Sequence, residues 1–417
     1  MEIYLNNHKP LTKEEIKAAL EKSLSGQKLK KVLLLPPDFT RFHSNAGFIT
    51  NTYYHLLKDY ATVDIMPALG THETMKEADC LAMFGDIPFE RFIRHDWRND
   101  VVRIGEVPAD FISEITEGLW QEPVPCEINK RIVQGGYDLV ISIGQVVPHE
   151  VIGMANHAKN VFVGCGGPET INKTHMIGAV YGMERMMGKD HTPVRKILDY
   201  CLEHFLKINI IFVLTVTTAP KGEIQTHGLF IGKERRVLEE AVKLSQEKNI
   251  DFVERPIKKC VVYLDPQEFK STWLGNKSIY RTRMAIADGG ELIVLAPDVS
   301  KFGEDPIVDR LIRKYGYCGR MKVLELFHQN RDLQENMGTA AHLIHSSSDG
   351  RFKITYAVKD ISKEELKNVG FNPASYEEMV KKYQIDDLAP GWNMIEDEEI
   401  FFIPNPALGL WIDKGHF

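Results

Sequence analysis

Two histidines, His72 in Gly70-Thr-His72-Glu and His149 in Pro148-His149-Glu150, each stand just after an apolar run. Imidazole titrates near neutrality, so two of them at one carbon can serve as general acid and base. Taken singly, each reads equally well as a packed histidine with satisfied hydrogen bonds. Arg41, in Asp38-Phe-Thr40-Arg41, carries a planar fork of donors suited to a carboxylate or a phosphate. Its plainer reading is a surface arginine paired with Asp38. The turn Gly164-Cys-Gly166-Gly167-Pro168-Glu169-Thr170 opens an expected helix, whose free amides and dipole suit an anion. It is neither a Walker A loop nor a G-x-G-x-x-G fingerprint. Lys159 reads most simply as an edge lysine, and His175 as a helix-face histidine.

Such residues must be positioned by a scaffold. Residues 31–36, 63–66, 137–143 and 160–163 are short apolar runs expected as strands, with helices over 46–60 and 168–187. A further strand is expected over 208–216 and a helix over 233–248. Continuous apolar runs separated by helices suit a mostly parallel sheet. Ligands of such sheets sit outside the carboxyl ends of the strands, where Asp38, His72, His149 and Gly164 all fall. A second series follows, with strands over 260–264, 291–295, 352–357 and 399–403 and helices over 277–287, 307–314 and 321–329. The expected architecture is α/β, with two α/β domains (residues 1–255 and 256–417), mostly parallel sheets and an active site in the cleft between them. The boundary is placed within 250–257.

The chain has 417 residues, too many for one comfortable core. Its net charge of -7 argues against general nucleic-acid binding. No apolar run approaches the ~20 residues of a membrane span, and the opening residues carry no secretory pattern. Cys80, Cys126, Cys165, Cys201, Cys260 and Cys318 lie far apart, without a CxxC pair. The expectation is a cytoplasmic protein with reduced thiols, binding neither nucleic acid nor membrane.

The spacing Pro148-His149-(nine residues)-Lys159-(fifteen residues)-His175 resembles the signature of the lactate racemase family. Asp38-x-Thr40-Arg41 and Gly70-Thr-His72 match the family's other landmarks in the same order. The resemblance covers roughly residues 31–188. It implies an isomerase that racemises or epimerises C2 of a small-molecule 2-hydroxyacid by proton-coupled hydride transfer. It implies a nickel-pincer nucleotide, loaded by separate cofactor maturation enzymes and tethered to Lys159, with His175 as the protein ligand to nickel. His72 and His149 would be the catalytic bases, and Arg41 a substrate contact. Asp38, Thr40, Gly164, Gly166 and Gly167 are counted as cofactor-binding. The chemistry suits these residue types. A C–H bond at C2 is very weakly acidic, hydride removal avoids a carbanion, and inversion needs a base on each face.

Two segments depart from the family. Ala155-Asn156-His157-Ala158 stands where the family has serine, glycine, glycine and a basic residue. His157 either binds substrate or packs. Lys277-Ser-Ile-Tyr280-Arg281-Thr-Arg283 stands where the family has a tyrosine followed by a glutamine and a lysine. Tyr280 aligns, and Lys277, Arg281 or Arg283 would replace the lysine; the plainer alternative is a solvated basic helix face. These changes favour a sugar acid such as D-gluconate, with lactate, malate or another short 2-hydroxyacid as the alternative. His95-Asp96 reads as structural. Other classes remain. An NAD-dependent dehydrogenase would need the absent G-x-G-x-x-G turn. A zinc hydrolase on His72, His149 and His175 lacks H-E-x-x-H spacing. A non-catalytic hydroxyacid-binding protein would not need paired histidines.

Overall fold

The computed structural model describes residues 2–6 and 9–417. They form two compact units. One comprises the described residues up to Ile177 with Met186–Asn249, the other Gly178–Arg185 with Ile250–Phe417.

The first unit is built on β1 (Ile3–Asn6), β2 (Lys31–Leu35), β3 (Thr62–Ile65), β4 (Val101–Val107), β5 (Val124–Asn129), β6 (Leu139–Gln145), β7 (Pro148–His149), β8 (Gly153–Met154), β9 (Ile210–Thr218) and β10 (Gln225–Gly232). Its main sheet has the order β1-β10-β9-β6-β2-β3. The four strands from β9 to β3 are parallel, and β10 and β1 extend the sheet antiparallel. Val32, Leu33, Leu34 and Leu35 are all fully buried. Alternate residues of a strand face opposite sides, so the sheet is covered on both, as its unbroken apolar run requires. Val32 and Leu34 pack with Ile16 and Leu20 of helix Lys13–Leu24 and with Ile49, Tyr53 and Leu57 of helix Ala46–Leu57. β4 and β5 form a separate antiparallel ribbon, and β7 and β8 a two-residue pair.

The second unit holds β11 (Asp251–Val253), β12 (Ile257–Tyr263), β13 (Ile286–Leu295), β14 (Lys353–Val358), β15 (Asn372–Ser375), β16 (Gly391–Ile395), β17 (Glu398–Ile403) and β18 (Trp411–Asp413). Its sheet runs β15-β14-β13-β12-β17-β16, parallel except for β16 on β17, and β11 pairs with β18.

Two expected elements differ. Residues 160–163 are not a strand; 160–162 close helix Ala158–Phe162 and Val163 caps it. The expected helix over 277–287 is only the turn Lys277–Tyr280, because Ile286 is drawn into the sheet opposite Ile257. Among the described residues no helix is long and apolar enough to cross a membrane.

Candidate active site

Parallel pairing of β2 with β3 sets the first half of the site. The pairing continues as a bridge between Pro37 and Ala68, so the loops after the two strands start side by side. Asp38 Oδ2 then lies 2.6 Å from His72 Nδ1, and Thr40 Oγ1 donates to Asp38 Oδ1 at 2.5 Å. Burial pushes the Asp38 carboxyl up, but His72, the Thr40 hydroxyl and Arg41 together hold it below the usual aspartate value. A carboxylate can only accept, so Nδ1 of His72 carries a proton, and in the neutral ring Nε2 is the acceptor. The His72 side chain is 58% exposed. Asp38 and Thr40, expected among the cofactor contacts, are spent on orienting His72.

The second half follows β6. His149 is buried, and its Nδ1 accepts the Val151 amide at 3.1 Å. Its neutral ring therefore carries the proton on Nε2. Burial drives His149 well below the usual imidazole value; Glu150 opposes this, and Lys159, Arg41 and His175 add to it. Lys159 falls to about 8, through burial and Arg41, with Arg195 adding to them and Glu150 and Asp38 opposing. His175 Nδ1 donates to Ile171 O at 2.7 Å one turn back in helix Pro168–Tyr181, leaving Nε2 free as a ligand. Burial lowers its pKa too, against the Ile171 carbonyl. Asp38, Arg41, His149, Glu150, Lys159 and His175 thus share one electrostatic neighbourhood within the first unit.

The glycine turn works differently from expectation. The helix end that would attract an anion is already taken: Glu127 Oε2 accepts the amides of Glu169 at 2.9 Å and Thr170 at 3.3 Å. A Cβ at Gly167 would strike this carboxylate, and one at Gly164 or Gly166 would strike the carbonyl of Asn160 or Phe162. The three glycines permit close packing and do not cradle a phosphate. Nothing in the motif itself could have shown this, because Glu127 lies on the unforeseen β4–β5 ribbon.

His95 braces the same turn. Its Nε2 meets Gly166 O at 3.1 Å and its Nδ1 meets Asn129 Nδ2 at 2.9 Å, a structural role. Burial lowers its pKa from 6.5 to about 4. The folded state then binds fewer protons than the unfolded chain between these values. Its contribution is whole above pH 6.5 and is lost as the pH falls toward 4. His95 alone should remove about 3 kcal/mol by pH 4, with His149, His157 and His175 acting in the same direction. Urea unfolding at pH 7.0 and 4.5 checks this; His95→Gln should flatten the difference, and an unchanged slope would refute it.

His157 does not reach the site. It is 1% exposed, its ring lies 3.8 Å from that of Phe212, and Asp199 Oδ1 is 3.8 Å from its Nδ1. Packing, not substrate binding, is its role. Asn156 and His157 have φ of 71° and 57°, a backbone that glycine adopts most easily. With ψ at -129°, His157 sits where side chains are strained by about 1–3 kcal/mol. His157→Gly should therefore be more stable than His157→Ala by about 1 kcal/mol, against the usual penalty for glycine. Equal urea midpoints would show that the turn is unstrained.

In the second unit, Ser278 through Arg283 are all buried, so the segment is not a solvated helix face. Tyr280 lies within it, and Arg281 NH1 donates to Gly409 O at 3.3 Å. Lys277 Nζ is 3.7 Å from Glu268 Oε1. Arg283 is withdrawn as a substrate contact, because its donors go to Glu184, Asp349 and the carbonyls of His345 and Ser347. Among the described residues no three His, Cys, Asp or Glu side chains are arranged to hold a metal, so the zinc arrangement on His72, His149 and His175 is not formed. Arg195 and Asn160 were missed. Arg195 could have been noticed as a cation on the apolar stripe of Val194, Leu198 and Cys201.

Residues 3–187 match the lactate racemase N-terminal domain family. No curated protein matches in sequence. A Thermotoga maritima protein solved by structural genomics superposes with a TM-score of 0.82 at 25% identity, covering 98% of this chain and 100% of its own. The lactate racemase apoprotein from Thermoanaerobacterium thermosaccharolyticum has a TM-score of 0.72 at 18% identity, covering 97% of this chain and 93% of its own.

Proposed function

We propose, on the premise that residues 3–187 belong to the lactate racemase N-terminal domain family, that this chain racemises or epimerises a 2-hydroxyacid at C2 with a nickel-pincer nucleotide. The observation that carries the reading is the Asp38–His72 pair, at 2.6 Å, in one neighbourhood with Arg41, His149, Lys159 and His175.

The residues fit the cofactor at two points. His175 offers a neutral imidazole with Nε2 free, the form that binds a metal. Lys159 offers an amine with a lowered pKa, the nucleophilic form a covalent tether requires. The remaining donors to nickel would come from the nucleotide, which suits a single protein ligand. Its phosphate must bind elsewhere than the Glu127-capped helix end.

When bound, the cofactor supplies the acceptor and donor for the C2 hydrogen. The chain's own groups do the rest. Arg41 holds the substrate carboxylate through charge-assisted hydrogen bonds. His72 Nε2 takes the hydroxyl proton, and Asp38 stabilises the resulting imidazolium. His149 at rest is neutral and offers only a hydrogen bond through Nε2–H, so the two histidines are inequivalent, and the proton returned to the substrate oxygen is the one that His72 took up. For His149 to act as a base at Nε2, its ring must release the Val151 amide and re-form with the proton on Nδ1.

The residues that favoured a polyhydroxy acid are fewer in the fold, since His157 and Arg283 are committed elsewhere. Short 2-hydroxyacids therefore lead the substrate class, and D-gluconate is the second reading. Loading by maturation enzymes in the cytoplasm belongs to the same proposal. The test is chiral chromatography of lactate, malate and gluconate incubated with nickel-loaded protein. Interconversion at C2 of at least one acid is expected. Nickel-loaded protein that converts none of them would overturn the function.

A further inference from the structure

We propose that Arg195 is a positioning residue for Lys159, acting through the carbonyl oxygen of Asn156. Arg195 stands in the first turn of helix Pro193–His204, its backbone amide capped by Thr192 Oγ1 at 3.1 Å. Its side chain is 1% exposed. NH2 donates to Met154 O at 2.7 Å and to Asn156 O at 3.1 Å. The same Asn156 oxygen accepts the backbone amide of Lys159 at 3.3 Å. Guanidinium and lysine thus hang from one atom.

The cost of this arrangement argues for a purpose. A buried guanidinium costs several kcal/mol unless it is closely paired. Arg195 is not: Nε and NH1 have no hydrogen-bond partner, and Asp199 Oδ1 stops 3.8 Å away. Asp199 Oδ2 instead accepts a hydrogen bond from Arg235 Nε at 2.9 Å. The hydrogen bonds from the Arg195 side chain go to the carbonyls of Met154, just before the strained turn, and Asn156, within it. Left-handed backbone at Asn156 and His157 persists only where its surroundings over-determine it, and Arg195 provides that hold. A second clamp lies just beyond the lysine. Asn160 Nδ2 donates to Leu35 O at 2.9 Å, at the end of β2, and to Ser142 Oγ at 3.0 Å, in the middle of β6. Lys159 is therefore flanked by two clamps, Arg195 on Asn156 before it and Asn160 after it.

The charge of Arg195 acts alongside its geometry. The charged groups facing the Lys159 amine are Arg41 and Arg195 against Glu150 and Asp38, with His149 and His175 bordering it. Removing Arg195 removes one of two cations that favour the neutral amine.

The inference rests on reading Lys159 as the cofactor-holding residue, but its test needs neither nickel nor substrate. Lys159 of the full chain is acylated with acetic anhydride at pH 7.5, and the rate is read by peptide mass spectrometry against exposed Lys243. Arg195→Met should slow Lys159 about tenfold, the effect of about one pKa unit, with Lys243 unchanged. Arg195→Lys, which keeps a cation and donors, should recover at least about half of the parental rate. Asp199→Asn should lower the melting temperature yet leave the Lys159 rate within about twofold, because it spares both carbonyl bonds. A purely structural role would loosen the turn and make Lys159 react faster. Equal or faster acylation in Arg195→Met, or a tenfold slowing in Asp199→Asn, overturns the proposal. If Arg195→Met does not fold, the Asp199→Asn result decides alone. A failed racemase assay with this labelling pattern intact would sink only the functional reading.

Discussion

Asp38→Asn should lower kcat on the best-converted 2-hydroxyacid by about 10²–10⁴, while KM and the melting temperature change little. The carboxylate performs two tasks for His72. It holds the proton on Nδ1, which keeps Nε2 open as the base, and it faces the imidazolium formed when His72 takes the hydroxyl proton. Asparagine loses the second task in either orientation. It also puts the first at risk, because Thr40 contests the amide oxygen. If that oxygen keeps the Thr40 hydroxyl, the NH2 group turns to Nδ1 and forces the proton onto Nε2. His72 then meets the substrate with a donor where an acceptor is needed. Two controls separate this effect from collapse of the loop. Arg41 should still bind substrate, so KM should move less than about threefold while kcat falls by the range above. His72→Gln added to Asp38→Asn should lower kcat no more than about twofold further, because the two side chains act as a unit. Steady-state kinetics with chiral detection reads both, and an Asp38→Asn enzyme within about threefold of the parent in kcat would leave the pair without a catalytic role.

Much of this site was legible in the linear order of residues, for a physical reason. Buried parallel strands must be apolar on both faces, so 31–36, 63–66 and 137–143 announce themselves. Ligand-binding loops then follow at their carboxyl ends. That placed Asp38, Arg41, His72 and His149 before any geometry was known. Residues 160–163 misled because the three apolar residues after Asn160 carry no period. Two unreadable facts settle their form. A left-handed turn at His157 starts a helix, and Asn160 reaches the backbone of Leu35, 125 positions earlier. The glycine turn misled for a related reason. Its resemblance to an anion site was sound, but Glu127, 42 positions before Glu169, fills that site with a carboxylate of the chain itself. Arg283 likewise cannot be told from a substrate arginine until Glu184, Asp349 and two carbonyls are found around it. Local chemistry names candidates; long-range partners decide which remain available.

The same logic separates the two cofactor roles assigned to Lys159 and His175. Protein made with the maturation enzymes should carry nickel, and His175→Ala should carry less than about a tenth as much, with racemisation reduced to background. The substitution should barely disturb the fold. His175 Nδ1 bonds only to Ile171 O, one turn back in its own helix, and that carbonyl keeps its ordinary helical partner, the backbone amide of residue 175. Alanine also removes a buried imidazole that resists protonation, so the variant should lose less stability than the parent as the pH falls below 6.5. Lys159→Met should behave differently. It removes the amine that a tether needs, so any covalent mass increment on the peptide containing residue 159 must vanish together with the nickel. In His175→Ala the increment should persist while the metal is lost, because the tether and the ligand are different side chains on different helices. Elemental analysis and intact-protein mass spectrometry on the three proteins measure both quantities. Full nickel content in His175→Ala would remove this residue as the ligand. An increment that disappears in His175→Ala but survives in Lys159→Met would move the attachment off Lys159, and the role of Arg195 would then lose its object.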